Sequence, residues 1–213
     1  MLAIDAITIS GKADGSESSV TWAHTCSGDN RLLVVYVYSW GNKTTGVTYN
    51  GSAMTFVDKK TMPGQNRTVS CYIMINPPSG AHNVVATLSS NDYVRTSAIS
   101  FEGAKQSSQP QTTNVTSMGK VATVTKSVTT TGRCFLLWGF DTNSTGSAGT
   151  GTTLHYNSEL GIAYGNSLVT AGSNSLQLTS VATNYDFVSI LIAVEESTLQ
   201  AVIHRLASLG VGS

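Results

Sequence analysis

Short apolar runs alternate with turn-forming residues along nearly the whole chain. Runs at 4–10, 19–25, 32–40, 47–49, 54–57, 68–75, 83–88 and 94–101 each predict a strand. They are rich in β-branched and aromatic residues and are bounded by Gly, Pro, Asn, Asp or Ser. Asn50-Gly51, between two of them, favours a tight hairpin because both residues tolerate positive φ. Asn76-Pro77-Pro78 stops another run, since proline has no N–H to give to a ladder. After a polar stretch at 105–114, the best linker candidate, the pattern resumes at 121–128, 134–140, 152–156, 161–164, 167–171, 176–181 and 187–194. Many short strands at this spacing predict an all-β fold, here a two-sheet antiparallel sandwich of jelly-roll type.

The strongest run, 32–40, is apolar on both faces. Leu33, Val35 and Val37 share one side, and Tyr36, Tyr38 and Trp40 share the other. Such a strand is expected in the middle of a fold, covered from both sides. The tyrosines and tryptophan could instead form a platform for a sugar ring or a neighbouring subunit, and internal packing or a subunit contact outweighs the sugar reading. Tyr93, Tyr156 and Tyr164 lie near turns and are further candidates for subunit or glycan contact. Trp22 and Trp138 sit among apolar neighbours and read as core.

A weak internal echo runs through the chain. Segments 83–101 and 175–194 each read strand, polar turn with Asn and Tyr, strand; 19–37 and 126–138 begin alike. The strands therefore form a β-sandwich domain over 1–196, either as one unit or as pseudo-repeated halves at about 1–104 and 115–196. The remainder, 197–213, changes period. Leu199, Val202, Ile203, Leu206 and Leu209 fall on one face of a helix. Ser197 or Thr198 can cap it, and Gly210 can end it. A helix so short is unstable alone in water, so its apolar stripe is expected to dock, on its own sandwich or on a neighbour.

Composition narrows the role. Only 11% of residues are charged, against about 25% in an average soluble protein, while 40% are hydrophobic. The surface is therefore hydroxyl and amide around a real core. Twelve basic residues balance twelve acidic ones without any basic cluster, which argues against nucleic-acid binding. No run is long enough to insert in a membrane, and the first residues do not read as a secretion signal. Synthesis in a host cytoplasm followed by life in a virion is expected to reconcile this start of the chain with a surface suited to an extracellular or assembled life. Cys26, Cys71 and Cys134 cannot all pair within one chain, and buried free thiols are expected.

Catalytic chemistry finds little support. His24, His82, His155 and His204 are dispersed, with no metal-ligand spacing, so neither metal nor cofactor is expected. Glu195 and Glu196 are adjacent and would face opposite ways on a strand, unlike a glycosidase pair. Asp14, Asp29, Asp92 and Asp141 read as turn residues.

Four blocks in the first half carry a family likeness: 30–37 (NRLLVVYV), 46–57 (GVTYNGSAMTFV), 76–88 (NPPSGAHNVVATL) and 98–104 (AISFEGA). In this order they resemble a β-sandwich module of phage structural proteins and bacterial surface proteins. The resemblance implies a concanavalin-like or jelly-roll sandwich and transfers no functional residue. The expectation is a non-enzymatic structural protein of a bacteriophage-like virion, decorating the capsid or forming part of a fibre or tail. It would be a homo-oligomer contacting other virion proteins through its sandwich faces and the helix. The alternative is a carbohydrate-binding module or adhesin contacting a cell-surface glycan; a glycoside-active enzyme ranks third.

Overall fold

The computed structural model describes residues 1–9, 12–15, 17–118, 122–141, 146–157, 160–179 and 187–198. The helix expected over 197–213 lies, from Leu199 onward, outside the described residues.

The first half contains β1 (Ala3–Thr8), β2 (Lys12–Asp14), β3 (Ser19–Cys26), β4 (Leu32–Trp40) and β5 (Thr44–Tyr49). It continues with β6 (Ser52–Ala53), β7 (Thr55–Thr61), β8 (Arg67–Ile75), β9 (Gly80–Leu88) and β10 (Tyr93–Glu102). The second half contains β11 (Thr112–Met118), β12 (Thr123–Thr130), β13 (Cys134–Asp141) and β14 (Ser147–Ala148). It ends with β15 (Thr152–Asn157), β16 (Leu160–Gly165), β17 (Gly172–Thr179) and β18 (Phe187–Glu195). The fold is all-β, with antiparallel pairing throughout the described sheets.

Where the sequence pattern suggested two sheets, the described residues form four. In the first half, β1-β10-β4-β8-β7 is covered by β3-β9-β5-β6. In the second, β11-β18-β13-β16-β15 is covered by β12-β17-β14. The two five-strand orders follow one scheme: first strand beside last, last beside the long central strand, then β8 and β7 in the first half and β16 and β15 in the second. The larger sheets face each other across a third core, giving four layers with the double-sided strands inside. The physical reason is the one read from 32–40. β4, β8, β10, β13 and β18 are buried along both faces and so need a cover on each side. The covering strands β3 and β12 instead alternate exposed and buried residues, as half-solvated strands do.

Three local expectations need correction. Residues 112–114 belong to edge strand β11, hydrogen-bonded to β18, and not to the linker. Residues 12–14 form β2 on the edge of β10, where a turn was expected. Residues 167–171 form no strand; only Val169 bridges to Cys134. These segments are polar or short, so the ladder partner decides their state where hydrophobic period does not. The linker itself is strapped along β18. Lys105 N–H and Gln109 Nε2 both donate to the Glu195 carbonyl (2.9 Å each), and Gln111 N–H donates to that of Ala193 (2.9 Å).

Candidate functional site

The seam between the two large sheets buries Tyr36 and Tyr38, two of the residues singled out from the sequence, and Tyr93 and Tyr164 pack partly against it. Leu32, Val34, Tyr36 and Tyr38 of β4 meet Phe135 and Leu137 of β13 and Ile190 and Ile192 of β18. Burying each such side chain contributes about 1.5–3 kcal/mol. Tyr36 is fully buried and lies flat on Gly139; a Cβ at Gly139 would come 2.2 Å from the ring. Its hydroxyl donates to the Leu137 carbonyl at 3.2 Å, and burial pushes its ionisation well up. A glycine inside an apolar strand often marks such a close approach, and that is the signal the sequence offered.

Two steps along β4, polar groups enter the seam. Arg67 Nε donates to the Tyr38 hydroxyl (3.1 Å) and lies 3.4 Å from the Asp141 carboxylate, all three being buried. Asp141 was expected in a turn. It ends β13 opposite Val188 and Leu160, so its carboxylate is carried into the interface. A buried ion pair of this kind fixes which groups must face each other, because a shifted packing would strand either charge without its partner.

At this end of the seam the aromatic side chains reach solvent. Trp40 is 57% exposed and meets Tyr93 edge-on at 6.2 Å between ring centres. Arg95 stacks over Tyr93 at 3.9 Å and pairs with Asp14 at 3.0 Å. The structure thus brings Trp40 and Tyr93 together, while Tyr36 and Tyr38 are interior.

The other end of the seam opens into a cleft of about 550 Å³. Leu2, Ile4, Phe135 and Leu168 supply apolar walls, and Arg133, Tyr164, Asn166 and Ser167 the polar rim. Tyr164 stacks on His155, their rings 5.6 Å apart and 18° from parallel. Tyr156 lies on β15 opposite Gly161, and its side chain is outside the described set. Glu196, 3% exposed, joins the two sides of this cleft. Its carboxylate accepts from the Leu2 N–H (3.2 Å) and lies 3.3 Å from Arg133 Nε. Its neighbour Glu195 instead pairs with Lys105 at 2.9 Å. The two glutamates thus serve different partners.

A third polar cluster lies in the first sandwich. His24 is buried, its Nδ1 2.9 Å from the Thr8 hydroxyl, and its Nε2 has no hydrogen-bond partner. Burial lowers its pKa to about 4, against a smaller upward pull from Asp5. For Asp5, burial raises the pKa, but hydrogen bonds from Ser27 and Ser100 outweigh it and leave the carboxyl below its usual range. All three cysteines are buried and free, and burial pushes the Cys134 thiol up to about 12. Among the described residues, no three His, Cys, Asp or Glu side chains gather as metal ligands.

No protein-family model and no curated protein matches the chain. Among solved structures, a variant of Bacillus subtilis oxalate decarboxylase aligns over 93% of this chain and 77% of its own. The identity is 9% and the TM-score 0.20, a likeness that carries no argument about fold or chemistry.

Proposed function

We propose that this chain is a non-enzymatic structural protein of a bacteriophage-like particle, built as two jelly-roll sandwiches fused back to back and making contacts through its outer sheet faces. The observation that carries the reading is the chemistry of those faces. On the second half, Thr123, Thr125, Ser127 and Thr129 of β12 stand beside Thr179, Gln177, Ser175 and Ser173 of β17. On the first, Ser19, Thr21, Ala23 and Thr25 of β3 stand beside Thr87, Val85, Asn83 and Ala81 of β9. The side chains named on both faces are uncharged and almost wholly short. Short side chains lose little rotamer freedom when covered, whereas each Lys or Glu loses about 1.5–2 kcal/mol. Such a surface suits permanent contact with neighbouring subunits.

The test places charge on the face. Thr125→Glu together with Ser175→Glu should leave the folded protein intact by circular dichroism yet abolish its incorporation into particles or oligomers, read by sedimentation and electron microscopy. Normal assembly of this variant, or a wild-type protein that stays monomeric at high concentration, would overturn the reading.

Trp40 favours a second reading, glycan contact. An exposed indole held edge-on by Tyr93, itself stacked under Arg95, is a preorganised platform for a sugar ring. On a glycan array, Trp40→Ala should lose any binding the wild type shows. Absence of wild-type binding, or binding unchanged in the variant, ends this second reading.

A further inference from the structure

The outer face of the first sandwich carries a second concavity, of about 450 Å³, at the far end of β5 from Trp40. That volume falls within the roughly 300–1,000 Å³ of small-ligand sites. Ala81, Asn83 and Val85 share the outward side of β9 by strand period, and Thr48 of β5 stands opposite Val85. Asn50 and Gly51 of the hairpin, with His82, complete the lining. These parts are held rigidly. Asn50 and Gly51 both have positive φ (48° and 75°), as the two-residue turn between paired strands requires. The Asn50 N–H donates to the Asn83 carbonyl at 3.0 Å, tying the turn to β9. His82 meets Tyr49 edge-on at 5.6 Å, and its Nε2 lies 3.0 Å from the Ser79 carbonyl.

We infer that this concavity binds a neutral saccharide unit through its hydroxyl groups. Its polar side chains are two carboxamides, a hydroxyl and an imidazole, and no Asp, Glu, Lys or Arg lines it. A charged ligand would give up its hydration here without meeting an opposite charge. A carboxamide both donates and accepts, and so does a threonine hydroxyl, which matches the double character of every sugar hydroxyl. Among the described residues, no hydrogen bond engages the side chains of Asn50, Asn83 or Thr48, so all three are available to a ligand. Ala81 and Val85 offer the C–H groups of a ring a small apolar floor. A peptide fits less well. Strand addition needs a free edge, and β9 is already paired with β3 on one side and β5 on the other. Groups held in place by turn and ladder lose little freedom when a ligand arrives. The inference rests neither on the assembly role of the outer faces nor on the Trp40 platform.

Saturation-transfer NMR on the full-length protein tests it, a method that works for single chains and large assemblies alike. The probes are the methyl glycosides of glucose, galactose, mannose and N-acetylglucosamine. All titrations use a Trp40→Ala background, so that the exposed indole contributes nothing. At least one probe should show saturable transfer. Adding Asn83→Ala should weaken that binding about three- to tenfold, the worth of one hydrogen bond. Asn50→Gly, which keeps the positive φ of the turn, should do the same. Thr48→Val keeps the side-chain volume and should give a similar loss, so a disturbed backbone cannot explain all three; circular dichroism checks the fold of each. No transfer with any probe, or affinity unchanged in the three variants, would overturn the inference. Because assembly is read by sedimentation and the Trp40 platform on a glycan array, failure here leaves both of those readings standing, and the reverse holds too.

Discussion

The two sandwiches share one order of strands and fill their cores in opposite ways. In the first, the largest side chain at this contact comes from β8, where Tyr72 stands opposite Val35 of β4. In the second, the bulk is on the long central strand. Trp138 faces Ala163, and Phe140 faces Gly161, where a Cβ would come 2.3 Å from the Phe140 ring. Phe187 completes a three-ring cluster with Trp138 (5.6 Å) and Phe140 (5.5 Å, stacked). A topology thus constrains the total volume between layers and leaves open which strand supplies it. The seam shows the same economy across halves, with Tyr36 on one strand filling the space left by Gly139 on the other.

The comparison can be broken most severely at Trp138. Trp138→Ala should cost about 4 kcal/mol and Val35→Ala only about 2, measured by denaturant unfolding, because the second core concentrates its packing in one side chain. Equal losses would mean that both cores spread their packing alike. Next comes the seam. Gly139→Ala should destabilise by about 3 kcal/mol, since the ring of Tyr36 has nowhere to retreat between two packed sheets. Tyr36→Ala in the same chain should make the added methyl nearly harmless; an additive double variant would show that the two positions do not press on each other.

A third difference separates the cores by pH. His24 belongs to the first sandwich and stays neutral when folded, its pKa lowered from 6.5 to about 4 by burial. Between those values the unfolded chain binds the proton and the folded one does not. Stability from this group is therefore undiminished above pH 6.5 and falls as pH drops toward 4, by up to roughly 3 kcal/mol. His24→Gln should flatten that part of the stability profile relative to wild type. An unchanged slope would remove His24 as the cause.

Much of this was legible in the residues. The run 32–40 coincides with β4, and its two apolar faces already implied a strand covered on both sides. Trp22 and Trp138 are both buried, as their neighbours suggested. Gly139, set in Cys134-Phe-Leu-Leu-Trp-Gly-Phe140, carried a signal of close approach without naming what approaches. Asp141 misled: an Asp before a Gly/Ser/Thr-rich stretch looks like a turn residue, and only its partner Arg67 on another sheet explains its burial. β11 was hidden because 112–118 is polar and becomes a strand through its ladder with β18.

What the sequence determined by itself is the alternation, strand by strand, of sides that seek water and sides that avoid it. That period is local, set by the backbone pleat, and it fixes the all-β class and the double-sided character of the central strands. Tertiary structure alone decided which face meets which. Tyr36 finds Gly139 and Arg67 finds Asp141 across two different sheets, and no local period encodes such a meeting. These contacts depend on complementary volumes and charges brought together only after distant segments have closed on one another.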